Sequence, residues 1–508
     1  MNLIRKYKKE IILLMFTFIS YFVLRLIFIA NLPIFTDEAI YLRWAQIALH
    51  DASWRFISLT DGKQPLYVWV TMIFLKLISD PLLAGRLVSV FTGFFTLVGL
   101  ILLSYELFKN KTISFFTGII YVSFPFAQVL DRMALYDSMV ATFYVWALYF
   151  SVVLVRKVRL DVAYTLGFVI AGGILTKSSS FFSIYLMPFL FILFDFKQKF
   201  LTKKLLSLTV FLIFSALISY SLYNILRLSP LYEMIAIKNA TFVYPLSEWI
   251  KHPFVYFVSN ISGLTSWLFQ YLTFSYLILI VLSLVLFTKS LKEKGILFIY
   301  FFLPFIALAL FGKLIYPRHF FFMSVMLLPL IGWSLNFLFD RSKQIIPKNL
   351  YFLAKALLVA IVLFYPLYIS VMFAVNPLKA PIADADSNQY LNNWSAGWGV
   401  SESVSFFKEK AKSGKIFIAT EGTFGLMPET MEMYLVENPN VTIKGYWPIG
   451  DRLPKETLDF AKKMPVYFIF YQPEHRELRG DFPLKLIFEV KQGNSNYYYR
   501  VYQVIPQK

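Results

Sequence analysis

Cysteine is absent from the 508-residue chain and histidine occurs only four times. Disulfides and thiolate metal sites are therefore excluded, and any exported part of the chain has to hold together by packing alone. Charge is scarce as well: 16% of residues are Asp, Glu, Lys or Arg, against 58% hydrophobic and 19% aromatic. A water-soluble core cannot hide that much apolar surface, so lipid is the solvent for most of the chain. The charge that is present has one prevailing sign, with 49 Lys and Arg against 30 Asp and Glu, a net +19. The cations gather in short clusters between apolar runs. That pattern argues for cytoplasmic membrane loops and against nucleic acid as a partner.

The apolar run at 11–30 follows Arg5, Lys6, Lys8 and Lys9 and is long enough to cross a bilayer. Asn31-Leu32-Pro33-Ile34 is not a small-residue cleavage site, so the run reads as a retained first span rather than a signal peptide. Further spans are predicted near 82–106, 112–130, 136–155, 161–176, 179–195, 205–226, 262–287, 296–312, 319–339 and 350–373, about eleven in all. The run at 66–78 is shorter and reads as a re-entrant or interfacial segment. Basic clusters around 5–9, 109–111, 156–159, 197–204, 289–294 and 341–348 fall at every second loop. This places the N-terminus in the cytoplasm and the chain after about 376 outside. The predicted fold class is thus a polytopic α-helical membrane protein with a C-terminal exported α/β domain. Residues 1–376 form the membrane unit, with a first exterior loop at 31–81, and 377–508 form the soluble domain. In that domain helix-like stretches (402–412, 428–437, 455–463) alternate with strand-like ones (415–420, 441–446, 465–471), followed by strands at 484–490 and 497–504.

On the predicted exterior face the ionisable residues form short motifs. Phe35-Thr36-Asp37-Glu38-Ala39-Ile40-Tyr41 opens an amphipathic helix ending near His50. Its acids suit a general base with a sugar or metal ligand, or else they only favour the positive end of that helix. Asp61-Gly62-Lys63-Gln64-Pro65-Leu66-Tyr67 holds a lysine in a Gly and Pro turn, suited to a phosphate at headgroup height or to simple snorkelling. In Asp131-Arg132-Met133-Ala134-Leu135-Tyr136-Asp137, Asp137 sits at the membrane boundary, where a carboxylate is costly without a partner. It pairs with Arg132, caps its own helix or takes part in chemistry. Lys177 in Leu175-Thr176-Lys177 and Arg318-His319 after Tyr316-Pro317 add cations at the same level. His319 has no companion at metal-ligand spacing. Thr420-Glu421-Gly422-Thr423-Phe424-Gly425 reads as turn chemistry first and as an anion or sugar loop second.

Taken in order, these motifs resemble the polytopic C-type glycosyltransferases, in particular the protein O-mannosyltransferase and aminoarabinose-transferase branch. The resemblance covers roughly the first 340 residues. It departs from the family pattern at Ser178, where relatives often carry Gly, and at His319, where a Tyr is common. It implies a plasma-membrane hexosyl- or pentosyltransferase that uses a polyprenyl-phosphate sugar and an extracytoplasmic acceptor. Asp37 would be the base, Glu38 an assistant or a sugar or metal ligand, and Asp137 a positioning acid. Lys63, Lys177 and Arg318 would hold the phosphate, with Tyr67, Arg132 and His319 lining the substrate. No cofactor is certain, and a divalent metal, if used, would fall to Asp37 and Glu38. A transporter or flippase of lipid-linked sugar is the competing reading, and a receptor or scaffold a third.

Overall fold

The computed structural model describes residues 7–197, 199–286, 289–475, 478 and 482–507. Arg5, Lys6 and residue 287 of the predicted loops and spans lie outside them. Among the described residues eight helices are long and apolar enough to cross a membrane: Lys8–Asn31, Pro81–Phe108, Tyr136–Lys157, Leu201–Leu228, Phe257–Val285, Leu291–Phe311, Pro317–Ile345 and Lys348–Val375. Tyr136–Lys157 and Pro317–Ile345 are the interior ones, with 78% and 83% of their most apolar stretch buried, against 17% for Lys8–Asn31.

The three other predicted spans take different forms. The run at 112–130 is split into Lys111–Ser123 and Pro125–Leu130, because Pro125 cannot donate to the helical ladder and pushes Phe124 into an extended conformation. The run at 161–176 is the helix Leu160–Thr176, which at 17 residues rises about 25 Å. The run at 179–195 is a chain of short 3-10 and α turns with Pro188 among them. Leu66–Leu75, ten residues long, rises about 15 Å, half of what a bilayer crossing needs.

The basic loops meet one another on the face away from the C-terminal tail. Lys111 pairs with Glu10 at 2.9 Å and Arg156 with Glu106 at 3.0 Å. The other face is closed by the tail. Its sheet runs β4-β3-β5-β7-β6, where β3 is Ile416–Glu421, β4 Val441–Tyr446, β5 Val466–Phe470, β6 Leu484–Lys491 and β7 Tyr498–Val504. The first three strands are parallel, with β3 central; β7 and β6 add on antiparallel. β3 and β5 are buried along their whole length, as expected for strands covered on both faces; β5 is apolar throughout and β3 over Ile416–Ala419 before it ends in Thr420 and Glu421.

A second, two-stranded sheet joins the tail to the membrane part. β1 (Ile34–Phe35) pairs antiparallel with β2 (Ala396–Gly397), and the Thr36 N–H and hydroxyl both donate to the Ser395 carbonyl at 3.1 Å. The helix that follows, Thr36–His50, is held from the tail side by Arg43–Glu432 (2.9 Å) and by the Gln46 amide on the Met433 carbonyl (3.0 Å). The entry to the first predicted motif is therefore set by residues 360 positions away in sequence.

Candidate active site

Thr36–His50 starts as soon as β1 ends, which puts Asp37 in its first turn. There Asp37 is shared by several donors. Arg318 Nη1 lies 2.8 Å from its Oδ2, the Tyr41 hydroxyl donates to the same oxygen at 3.0 Å, and Lys63 Nζ is 3.9 Å away. Tyr41 follows Asp37 by one helical turn, so both side chains leave the helix on one face. Lys63 Nζ donates to the Tyr41 hydroxyl at 2.8 Å, which leads proton donors from Lys63 through Tyr41 to Asp37. Burial pushes the Asp37 carboxyl up, but the charges of Lys63 and Arg318 and the hydrogen bonds outweigh it and hold the group well below the usual carboxylate range. Burial acts on Lys63 in the opposite sense, and despite Asp37 and Asp61 its ammonium sits below its ordinary value.

The turn that presents Lys63 ends a 3-10 segment, Ile57–Asp61, with Gly62 in the left-handed region at φ +63°. A Cβ at Gly62 would meet the Met234 carbonyl at 2.3 Å and Lys238 Cβ at 2.5 Å. Only glycine allows the helix Met234–Phe242 this close, and the close approach brings Lys238 to Asp61 at 2.6 Å. Gly62→Ala is expected to cost about 1 kcal/mol or more from the left-handed conformation alone. It should also displace Lys63 and lower the thermal unfolding temperature. An unchanged melting temperature would show that the close approach is dispensable.

Asp137 and Lys177 form a second pair at 2.8 Å, with Asp137 buried and Lys177 half-buried. Asp137 thus pairs with Lys177 and not with Arg132. Asp137 and Lys177 act electrostatically on Arg318 and His319 respectively, which puts the two pairs in one neighbourhood. The Ser178 hydroxyl next to Lys177 accepts from Gln64 (2.7 Å) and Asn239 (3.1 Å), tying the Lys63 turn to the Lys177 turn. That bond needs the side chain that this sequence has in place of glycine. The His319 ring packs edge-on against Phe242, and its Nδ1 accepts weakly from the Tyr316 N–H at 3.4 Å.

Three expected site residues stand elsewhere. Glu38 points away from Asp37 and is fully buried: Oε1 accepts from Arg86 Nε (2.9 Å) and the Ala134 N–H (2.7 Å), and Oε2 from Arg86 Nη2 (3.0 Å) and the Phe35 N–H (2.9 Å). With four donors its oxygens are filled, so it positions the loop and has nothing to offer a sugar or metal. Arg132 donates to the carbonyls of Leu24, Arg25, Ile27 and Phe28, capping the first span, whose last carbonyls have no helical partner. Tyr67 is buried beneath the centre, its hydroxyl on the Gly85 carbonyl at 3.1 Å and its ring against Tyr136 and Tyr41. It supports the aromatic floor of the site. Among the described residues no three His, Asp or Glu side chains converge, and the divergence of Asp37 and Glu38 means this pair does not fit a metal. In the glycine-rich segment at 420–425 β3 runs to Glu421 and the chain then bends, with Gly422 and Gly425 at positive φ; Glu421 is buried, accepting from the Tyr471 and Gln472 N–H groups.

Sequence reasoning passed over Tyr41, Asp61, Lys238 and Arg86 as site or support residues. Arg86 had a signal, a lone arginine five residues into an apolar helix, which lipid does not tolerate without a partner. Lys238 had none, since it lies in a long loop without a motif.

The sequence profile of the family described as dolichyl-phosphate-mannose-protein mannosyltransferase matches residues 62–223. No curated protein matches the chain. Among solved structures it is similar to ArnT from Cupriavidus metallidurans bound to undecaprenyl phosphate, with a TM-score of 0.58 at 12% identity over 98% of both chains. The apo state of that protein matches at 0.52 and 12%, over 99% of this chain and 98% of that one. The archaeal oligosaccharyltransferase AglB from Archaeoglobus fulgidus, in complex with an inhibitory peptide and a dolichol-phosphate, matches at 0.56 and 14%, over 91% of this chain and 70% of that one. None of these names is that of a transporter. The chain therefore shares its fold with ArnT and AglB, and its residues 62–223 match the mannosyltransferase profile.

Proposed function

We propose that the protein transfers a hexose or pentose from a polyprenyl-phosphate donor to an acceptor outside the cytoplasmic membrane. The observation that carries this reading is one carboxylate, Asp37, held between two cations suited to phosphate, Arg318 and Lys63, at the tail end of the membrane helices. The basic loops then face the cytoplasm, 1–376 is the membrane unit and 377–508 the exported domain.

In the reaction Asp37 takes the proton of the acceptor hydroxyl as its oxygen bonds to the anomeric carbon. The bond from that carbon to the phosphate oxygen breaks on the opposite side, and the configuration inverts. The electron pair leaves on the phosphate, whose growing charge Lys63, Arg318 and Lys177 offset without a general acid. A carboxylate clamped by two cations is a weak base. An arriving phosphate competes for the same cations, which relaxes the clamp and raises the basicity of Asp37 when the donor is in place. Asp137 keeps Lys177 directed at this centre.

The test is lipid retention. Purified protein is supplied with polyprenyl-phosphate sugars extracted from native membrane and washed, and bound lipid is identified by mass spectrometry. Wild type should retain the donor, whose sugar is then read directly, and Lys63→Ala should hold it about tenfold more weakly, or 1.4 kcal/mol. Retention that ignores Lys63 removes this lysine from the phosphate site. No retention by either folded protein overturns the donor model.

A further inference from the structure

The tail brings a buried acid and a buried phenol to the Asp37–Arg318 pair. Asp386 and Tyr390 lie one turn apart on the helix Asp384–Leu391, just after the last span, and are 0% and 1% exposed. Oδ2 of Asp386 accepts from the Tyr271 hydroxyl, while its Oδ1 has no hydrogen-bond partner. The Tyr390 hydroxyl lies beside Asp386 and acts on its carboxyl as a donor that favours the ionised form, although the two fall short of full hydrogen-bonding geometry. The Tyr390 ring packs edge-on against Phe35 with centroids 4.9 Å apart, and the Arg318 guanidinium carbon lies 5.6 Å from the centroid of the same Phe35 ring. Tyr390, Phe35 and Arg318 thus form one stack, two residues ahead of Asp37. A fully buried carboxyl whose donors are only phenols is costly to ionise, so its retention beside the Arg318 stack calls for an account.

We propose that Asp386 and Tyr390 are positioning residues that act through Arg318, with the charge on Asp386 setting how strongly this guanidinium holds a lipid phosphate. The proposal rests on the glycosyltransferase reading above. The groups facing Asp386 are Tyr271 from the span Phe257–Val285, Tyr390 from its own helix, Arg318 from the turn Pro317–Phe320 and Asp137 from Tyr136–Lys157. Burial pushes its carboxyl up to about 7, against the opposing pull of the Tyr271 hydroxyl and Arg318 and with Asp137 adding to the rise. Uncharged, Asp386 leaves Arg318 to Asp37 and the phosphate. Charged, it is a further carboxylate competing for the same guanidinium, so phosphate affinity falls as pH rises.

The experiment titrates the full-length protein in lipid nanodiscs with undecaprenyl phosphate between about pH 6 and 8, comparing wild type, Asp386→Asn and Tyr390→Phe. The second ionisation of the phosphate, near ~6, is common to all three. Over this range the wild-type Kd should rise by roughly three- to tenfold more than that of Asp386→Asn, the scale of a partly screened charge pair. Tyr390→Phe keeps the ring against Phe35 but loses the hydroxyl that favours ionised Asp386, so the midpoint of its rise should move upward. Equal pH profiles in wild type and Asp386→Asn overturn the proposal and leave the donor model standing. Should Asp386→Asn not fold, an unmoved midpoint in Tyr390→Phe overturns the proposal equally. No binding by wild type at any pH overturns both readings.

Discussion

Asp37→Asn is expected to lower turnover by about 10²- to 10⁴-fold, the usual contribution of a positioned general base. Asparagine keeps the shape of the side chain, and its carbonyl can still accept from Tyr41 and Arg318, which lie 3.0 and 2.8 Å from the carboxylate oxygen. It cannot take a proton from an acceptor hydroxyl. The check is single-turnover transfer, with a thermal melt on the same preparation. Wild-type turnover by a folded Asp37→Asn protein would remove Asp37 as the base. The melt has a sign of its own. The carboxyl is held below its ordinary range in the folded protein, so its ion pairs contribute stability that is fully present above the unfolded value near 3.9 and is lost as pH falls through the folded value. Wild type should therefore lose stability in acid more steeply than Asp37→Asn, and the two should differ by a constant amount at neutral pH.

Glu38→Ala should have the larger effect on stability, about 3–5 kcal/mol, the cost of leaving one member of a buried ion pair unpaired. Arg86 would keep its charge in an interior where it is 1% exposed, and the Ala134 and Phe35 N–H groups would lose their acceptor. Arg86 also donates to the Ile29, Leu32 and Pro33 carbonyls, so the damage falls on the segment leading into β1 and Asp37. Denaturant unfolding of Glu38→Ala, Arg86→Met and the double variant measures this. The double variant should be less destabilised than the sum of the singles, because it leaves no orphaned charge. Were Glu38 a sugar or metal ligand, Glu38→Ala would unfold like wild type and lose turnover only.

The contrast between Asp37 and Glu38 marks how far the sequence can be read. Adjacent acids at a helix start look equivalent in one dimension, but consecutive helical residues point about 100° apart. One of them faces the cations of the centre and the other the interior. One of the three readings of Asp137, a pair with Arg132, fails for a related reason. Their closeness in sequence suggested a pair, whereas Arg132 turns back to cap the first span and Asp137 reaches Lys177 across a helix interface. The tail was legible almost residue by residue: the strand expected at 441–446 is β4, and those expected at 415–420 and 484–490 are β3 and β6 within a residue. Short apolar runs between turn signals carry that information locally. The count of eleven spans is not confirmed where Pro125 and Pro188 break the runs at 112–130 and 179–195 and where the helix at 161–176 is only 17 residues long, because hydropathy measures apolar length and is blind to backbone breaks.

The sequence alone determined the solvent of this chain, the alternation of its basic loops, the α/β character of its tail and the set of charged residues available to one face. Those are properties of composition and spacing, and they follow from transfer of single side chains between water and lipid. Only the tertiary structure decided which of those charges meet. It paired Asp37 with Arg318 across 281 positions, filled Glu38 with Arg86, and brought Asp386 and Tyr390 of the tail to the same centre through β1 and β2. The reason is that a buried charge is tolerated only with its partners in place, and in a bundle of helices those partners come from whichever spans pack together.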